Sequence, residues 1–275
     1  MTLHTLFPDE DHRFSMRLER GHPAAFYCET PDGERLLAER RQWLHQTPDA
    51  CLAVTPEAGP LVAELTAMAG GWLPAGQSRI AQADDLDAHA QCLVLGQRLE
   101  PDFLLLSPDR AGVWRLRAGC VCFPSSWALE EKIGHPLEEI HSPVPGLNAA
   151  VGPQIARFLS KLSPGVSWQR SNWGLSRSAE LNQHPRLGRP RLDDTVSAGE
   201  VFLRIEHQSL VALPQSGGVL FGIRIEVQPL SRVLADPRTA RGLERALRTM
   251  PEPVAGYKGL APARARLLEW LQTAT

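Results

Sequence analysis

The sequence predicts an α+β chain: an antiparallel sheet with helices inserted after its second strand, flanked by N- and C-terminal helices. Three observations carry this. Strand-like runs and helical runs alternate as strand, strand, helices, strand, strand, strand between about residues 100 and 230. Two long β-rich runs, "EVFLRIEHQSLVALP" and "GGVLFGIRIEV", are joined by "PQSGG", a hairpin connection. Charged amphipathic stretches lie on both sides of that block.

The elements follow in order. "ERLLAERRQWLHQ" (34–46) has the spacing of an amphipathic helix, and "GPLVAELTAMAG" (59–70) is a second, with glycine at its exit. Residues 74–100 are mixed and carry no clear period. "DFLLLSP" and "GVWRLRAGCVCFP" are short strands bounded by Gly and Pro. "SSWALEEKIG" is expected to be a helix capped by Ser125 or Ser126, with Glu130 and Glu131 in its early turns. A short helix around Leu137–Ile140 delivers His141, and "LNAAVGPQIARFLSKLSPG" gives a longer one. Strands are expected around 166–177, 200–213 and 218–229, and helices in "TARGLERALRTM" and "PARARLLEWLQ". A five-stranded antiparallel sheet with helices after its second strand is a PAS-like layout, an analogy of fold that does not establish function. The whole of 1–275 is expected to form one such domain with helical extensions.

The balance of 29 basic and 31 acidic side chains gives no reason to expect nucleic acid or an anionic membrane as partner. The longest apolar runs, such as "FLLL" at 103–106, fall far short of the ~18 residues of a membrane span. No secretory pattern opens the chain, so a cytoplasmic protein is expected. The five scattered cysteines suit reduced thiols. Cys120 and Cys122 form a lone CxC, read as two buried thiols ahead of half a metal site. There is no GxGxxG, no Walker A loop and no four-cysteine array for an iron–sulfur cluster.

"EEIHSPVPGLN" (138–148) is the most informative short stretch. A helical run ends on His141, and Pro143 and Pro145 follow at once, each biasing the residue before it towards extended geometry. A rigidly presented histidine with no HxxxH or HExxH partner suits a cofactor that brings most of its own ligands, and haem needs one axial imidazole from the protein. The alternative is a histidine capping a helix C-terminus. His207 is the competing ligand, sharing a strand face with Leu203, Ile205 and Ser209. Arg204, Glu206 and Gln208 share the other parity, and Arg224, Glu226 and Gln228 share a face of the partner strand. That pattern is either a solvent-facing polar ladder or a pocket in which Glu206 meets a substrate amine and Arg224 a propionate. Strand parity is expected to put Glu206 and Arg224 on one face of the hairpin. Trp168 and Trp173 have opposite parity, so one of them can pack on a flat ring.

These residues carry a family resemblance. "CFPSSWALEEKIGHPLEEIHSPVPGLN", "WQRSNWGL", "LRIEHQSLVALPQSGGVLFGIRIEVQPL" and "AGYKGLAP" occur in the order found in the haem-dependent oxidative N-demethylase family. "HRFSMRLERG" and "RLLAERRQWLHQTPDA" also fit its opening pattern. The resemblance implies a PAS-like haem b domain that oxidises a small secondary amine with dioxygen. It also implies a separate reductase carrying flavin and a 2Fe–2S centre. It makes His141, the histidine of the IHxPVP motif, the axial ligand of the haem iron. On the strand pattern read above, Glu206 is expected to be a catalytic carboxylate, and Arg224, Trp173 and His207 further haem contacts. Family members commonly carry Arg at the position of His207, where "EHQSL" replaces an "ERQTL"-like stretch. A haem-binding sensor without turnover is the alternative function.

Overall fold

The structure is a computed structural model that describes residues 3–73 and 86–274. In chain order its elements are α1 (Leu3–Leu6), β1 (Glu19–Gly21), α2 (Pro23–Tyr27), α3 (Gly33–Gln46), α4 (Pro48–Cys51), β2 (Leu52–Val54), α5 (Gly59–Ala69), α6 (Ala88–Arg98), β3 (Asp102–Pro108) and β4 (Trp114–Cys120). They continue with α7 (Leu137–His141), α8 (Leu147–Leu159), β5 (Ser167–Ser176), β6 (Phe202–Leu213), β7 (Gly218–Pro229), α9 (Leu230–Leu234), α10 (Pro237–Thr249), α11 (Glu252–Tyr257) and α12 (Arg264–Thr273).

The strands form one antiparallel sheet in the order β1-β5-β6-β7-β3-β4-β2. The α+β class is as expected. The five long strands pair as β4-β3-β7-β6-β5, which is order 2-1-5-4-3 when the five are counted from β3; the fifth strand, β7, lies at the centre between the first and the fourth. The sheet is wider than five because the three-residue strands β1 and β2 add to its two edges. One expected helix is missing: residues 125–134 fold as turns, and Ser126 takes a positive φ of 60° where an α-helix needs a negative one. The mixed region contains α6 from Ala88 onward, while 74–85 lies outside the described residues.

Three apolar clusters cover the two sheet faces unequally. One face carries Phe103, Leu105, Val211 and Leu220, packed against α3, α5 and α6 through Leu44, Leu61, Leu65 and Leu95. The same face carries Leu175, Leu203 and Ile205 farther along, packed against the C-terminal helices through Leu243, Leu247 and Leu267. The opposite face carries Leu104, Leu106, Leu116, Val219 and Ile223, and receives Leu137 and Ile140 of α7 and Ile155 and Phe158 of α8. Below, the first is the helix-layer face and the second the α7–α8 face.

The helix layer is pinned to the sheet by a buried ion pair. Arg40 of α3, fully buried, bonds Asp102 at the start of β3, the carbonyl of Gly96 at 2.9 Å and the Cys120 sulfur at 3.3 Å. Asp102 also accepts the backbone N–H groups of Cys122 and Phe123 at 2.8 and 3.0 Å. Cys120 lies in β4 and Cys122 just beyond it, and both thiols are buried. Among the described residues no His, Cys, Asp and Glu group has the arrangement of a metal site.

Candidate functional site

α7 places His141. Its five residues run to His141, and Ser142 still has helical angles, φ −57° and ψ −32°. The expected extended geometry before Pro143 is therefore absent, because the Ser142 hydroxyl and N–H both bond the Glu139 carbonyl and hold one more helical residue. The chain then turns. Val144 donates to the His141 carbonyl at 3.0 Å and Leu147 to Val144 at 3.2 Å. Gly146, at φ 79°, opens α8. The two prolines thus sit in the tight turn that joins α7 to α8, directly after His141.

His141 lines a cavity of about 1320 Å³. The lining includes the apolar Ile140, Val144, Leu147, Val151 and Ile155 from the helices and Leu104, Leu106, Leu116 and Phe221 from the sheet, together with polar groups such as Lys132, Arg170 and Glu206. Burial, helped by the charge of Lys132, lowers the His141 pKa, so the ring is held neutral with a free lone pair. The ring has no hydrogen-bond partner among the described residues. A half-buried, neutral imidazole with a free ring nitrogen, in a cavity with a wall of aliphatic side chains, suits an axial ligand to a flat macrocycle. The fit to haem is good on that ground.

The register of the hairpin sorts the remaining candidates. Glu206 pairs with Asn172 and Ile225, whereas Arg224 pairs with His207. Glu206 therefore lies on the α7–α8 face and Arg224 on the helix-layer face, which corrects the expectation of a shared face. The reason is loop length: Leu213 pairs with Gly218, so an even-numbered residue of β6 faces an odd-numbered residue of β7.

Arg224 is also engaged. It pairs with Glu100 and donates to the carbonyls of Phe26 and Cys28 at 2.8 and 3.1 Å, holding the end of α2. Trp173 and His207 are likewise on the helix-layer face. Trp173 packs edge-on against Phe7 at 5.2 Å within the C-terminal cluster. His207 bonds Ser171 Oγ at 3.0 Å and Glu226 at 2.9 Å. None of the three faces the α7–α8 side, although all line the cavity, which continues around the β5 edge.

The α7–α8 face instead offers a polar group that the strand register brings together: Arg170 and Asn172 of β5 with Glu206 and Gln208 of β6. Gln208 donates to Glu206 at 3.1 Å. Burial lowers the Arg170 pKa and the charge of Glu206 opposes that shift. Arg204, on the same strand face, is buried and bonded to Ser125 Oγ at 2.6 Å and to the carbonyls of Phe123, Leu181 and Glu180 at 2.8, 2.6 and 3.2 Å. It holds the loops at 123–125 and 180–181, and burial among neutral acceptors brings its pKa down to about 10.

The C-terminal end of α11 adds Tyr257 and its cap Lys258. Lys258 Nζ donates to the Trp173 carbonyl at 2.6 Å and lies 5.1 Å from the Trp173 ring centre. Burial lowers its pKa to about 8, with Glu206 opposing and Arg170 adding to the shift. Burial first, then the Glu206 charge, raises the Tyr257 pKa. The electrostatic coupling brings the "RSNW" and "YKG" segments to Glu206, although they are distant in sequence. Their motif character was visible in the sequence; their convergence needed the fold.

A family model for the haem-dependent oxidative N-demethylase, alpha subunit-like, matches residues 76–268. That span contains His141, the hairpin, the Arg170–Trp173 segment and the Tyr257–Gly259 turn, and the chain belongs to this family.

Proposed function

We propose that this chain is the haem-carrying catalytic subunit of an oxidative N-demethylase acting on a small secondary amine, with dioxygen as oxidant and electrons from a partner reductase bearing flavin and a 2Fe–2S centre. The observation that carries the reading is the neutral, unpartnered His141 imidazole facing a cavity with an aliphatic wall in a member of this family. The central strand order, with α7 and α8 between the second and third long strands, supports a PAS-like haem pocket.

His141 would hold haem b through its ring nitrogen. The bound haem would supply the oxidising chemistry towards dioxygen. The protein's part lies on the sheet. A secondary ammonium is positively charged at neutral pH and must lose a proton before its nitrogen or the adjacent carbon is oxidised. Glu206, steadied by Gln208, is placed to hold that cation and accept the proton. The Arg170 guanidinium and the Lys258 ammonium both feel the charge of Glu206, so the three groups form one polar cluster on this side of the sheet. Leu104, Leu106, Val151 and Ile155 exclude water from the other walls.

The test is an absorption spectrum of the purified protein followed by amine-dependent formaldehyde release with dithionite-free, NADH-driven reductase. A Soret band near ~400 nm that disappears in His141→Ala supports the cofactor assignment. Glu206→Gln should keep the band and lose ~10²-fold or more in turnover. A haem spectrum without turnover on any small secondary amine would leave a haem-binding sensor as the function.

A further inference from the structure

The helix-layer face has a gap between its two apolar clusters, and three polar side chains from three adjacent strands meet there. Ser171 of β5 bonds His207 Nδ1 at 3.0 Å, and His207 Nε2 bonds a carboxylate oxygen of Glu226 of β7 at 2.9 Å. All three line the cavity on the side away from His141. Nothing in the proposed demethylation uses them.

The arrangement dictates the tautomer. The His207 hydrogen bond is the chief cause of the lowered Glu226 pKa, so this carboxyl is ionised and can only accept. Nε2 must then carry a hydrogen, and in the neutral ring Nδ1 presents its lone pair to Ser171. That is the orientation in which an imidazole can take a serine proton, with the ring held by an acid on its far side. A cross-strand ladder of polar residues does not by itself fix this polarity.

A developing oxyanion has a donor at hand. Lys258 bonds the carbonyl of Trp173 from outside the sheet, so the odd-numbered backbone groups of β5 point away from β6. β1 covers that edge only opposite Ser167–Gln169. The Ser171 N–H lies beyond the covered stretch, on the open edge beside its own hydroxyl. The nucleophile's own N–H serves as an oxyanion donor in serine hydrolases of unrelated fold.

We propose that Ser171, His207 and Glu226 form a second catalytic site, which hydrolyses small carboxylic esters. Ser171 Oγ bonds to the acyl carbon as its proton passes to His207 Nδ1. The bond from that carbon to the alcohol oxygen breaks, and the proton passes from His207 to the leaving alkoxide. Water, deprotonated by His207 in the same way, then attacks the acyl-serine and releases the carboxylic acid, restoring Ser171. Ester and water are consumed, acid and alcohol are formed, and no oxidant is needed. Ser171 and His207 touch the reacting atoms; Glu226 is a positioning residue.

The experiment treats the purified full chain with a fluorophosphonate probe and locates the adduct by peptide mass, with hydrolysis of p-nitrophenyl acetate as the turnover assay. Wild type should take one label at Ser171, and Ser171→Ala should take none there while keeping the wild-type melting temperature. His207→Gln should label at least ~10²-fold more slowly. Glu226→Gln should label more slowly, since the ring is no longer fixed in one tautomer, and Glu226→Asp, which keeps the carboxylate, should recover part of the rate. No adduct on Ser171 in wild type, or unchanged hydrolysis in Ser171→Ala, overturns the proposal.

Discussion

His141 and His207 lie on opposite sides of the sheet, and their environments differ in kind. His141 is unpartnered among aliphatic side chains, while His207 is held between a hydroxyl and a carboxylate. His141→Ala should abolish haem retention, whereas His207→Ala should leave the Soret band in place; the two spectra decide the ligand. Lys258 gives a second residue-scale prediction. Its folded pKa of about 8 lies below the ordinary lysine value of 10.5, chiefly through burial. Below about pH 8 both folded and unfolded chains carry the proton, and the folded chain bears the full desolvation penalty. Between the two values the unfolded chain binds more protons, so stability rises with pH and the penalty is gone above the higher one. Lys258→Met removes the charge at every pH. Its stability relative to wild type should therefore be greatest at about pH 7 and fall by an amount on the order of 1–3 kcal/mol by about pH 10. Urea unfolding at the two pH values measures the difference, and a difference constant with pH would contradict the depressed pKa.

The elements that present the site depend on short backbone devices more than on length. α7 has five residues, too few to be stable alone, and relies on Leu137 and Ile140 packing on the sheet. The turn that follows needs Gly146 at φ 79°, a left-handed conformation costly for any residue with a Cβ. Gly146→Ala should cost about 1–2 kcal/mol, with space no obstacle because the nearest side-chain atom to a new Cβ is Phe14 at 3.9 Å. Because the strain falls between His141 and α8, haem affinity should drop with stability, which titration of haem into the apo-protein would reveal. Loss of stability with unchanged haem affinity would show that this turn does not set the imidazole's position. Replacing Pro143 and Pro145 with Ala should act more weakly, at ~0.4–1 kcal/mol per site through the unfolded chain. The sequence disclosed this turn through its prolines, and the hairpin through "PQSGG". It did not disclose residues 125–134 as turns, because their Ser, Glu and Lys content mimics a capped helix while the segment is held instead by tertiary bonds such as Arg204 to Ser125. β1 and β2, at three residues each, are too short for any period to register.

At the scale of the molecule, one sheet separates two environments, and pairing register decides which residues belong to each. Glu206 could be assigned to the His141 side only once Leu213 was paired with Gly218. The sequence held the alternation but not the phase between strands, so it grouped Arg224 with Glu206 and missed Arg170 and Lys258 as its charged neighbours. The phase is locked by the packing of whole layers, and Arg40–Asp102 is the polar part of that lock. Asp102 joins α3, the start of β3 and the segment after β4 that leads into the Arg204-bound loop. Burial raises the Asp102 pKa, and Arg40 is the first of the groups that oppose the rise. Asp102→Ala would leave the Arg40 guanidinium buried beside Cys120 without its carboxylate and orphan two N–H groups. Breaking a buried pair from one side costs about 3–5 kcal/mol, a large share of the ~5–15 kcal/mol that holds an ordinary domain together. The variant should unfold at markedly lower urea concentration. Asp102→Asn should lose less, since its amide oxygen can still accept from Cys122, Phe123 or Arg40. Replacing both partners, as Arg40→Met with Asp102→Leu, should recover part of the Asp102→Ala loss by removing the stranded charge. If the double variant is no more stable than Asp102→Ala, the cost lies in the two N–H groups at the β4 exit, and the lock is a backbone device instead of an ionic one.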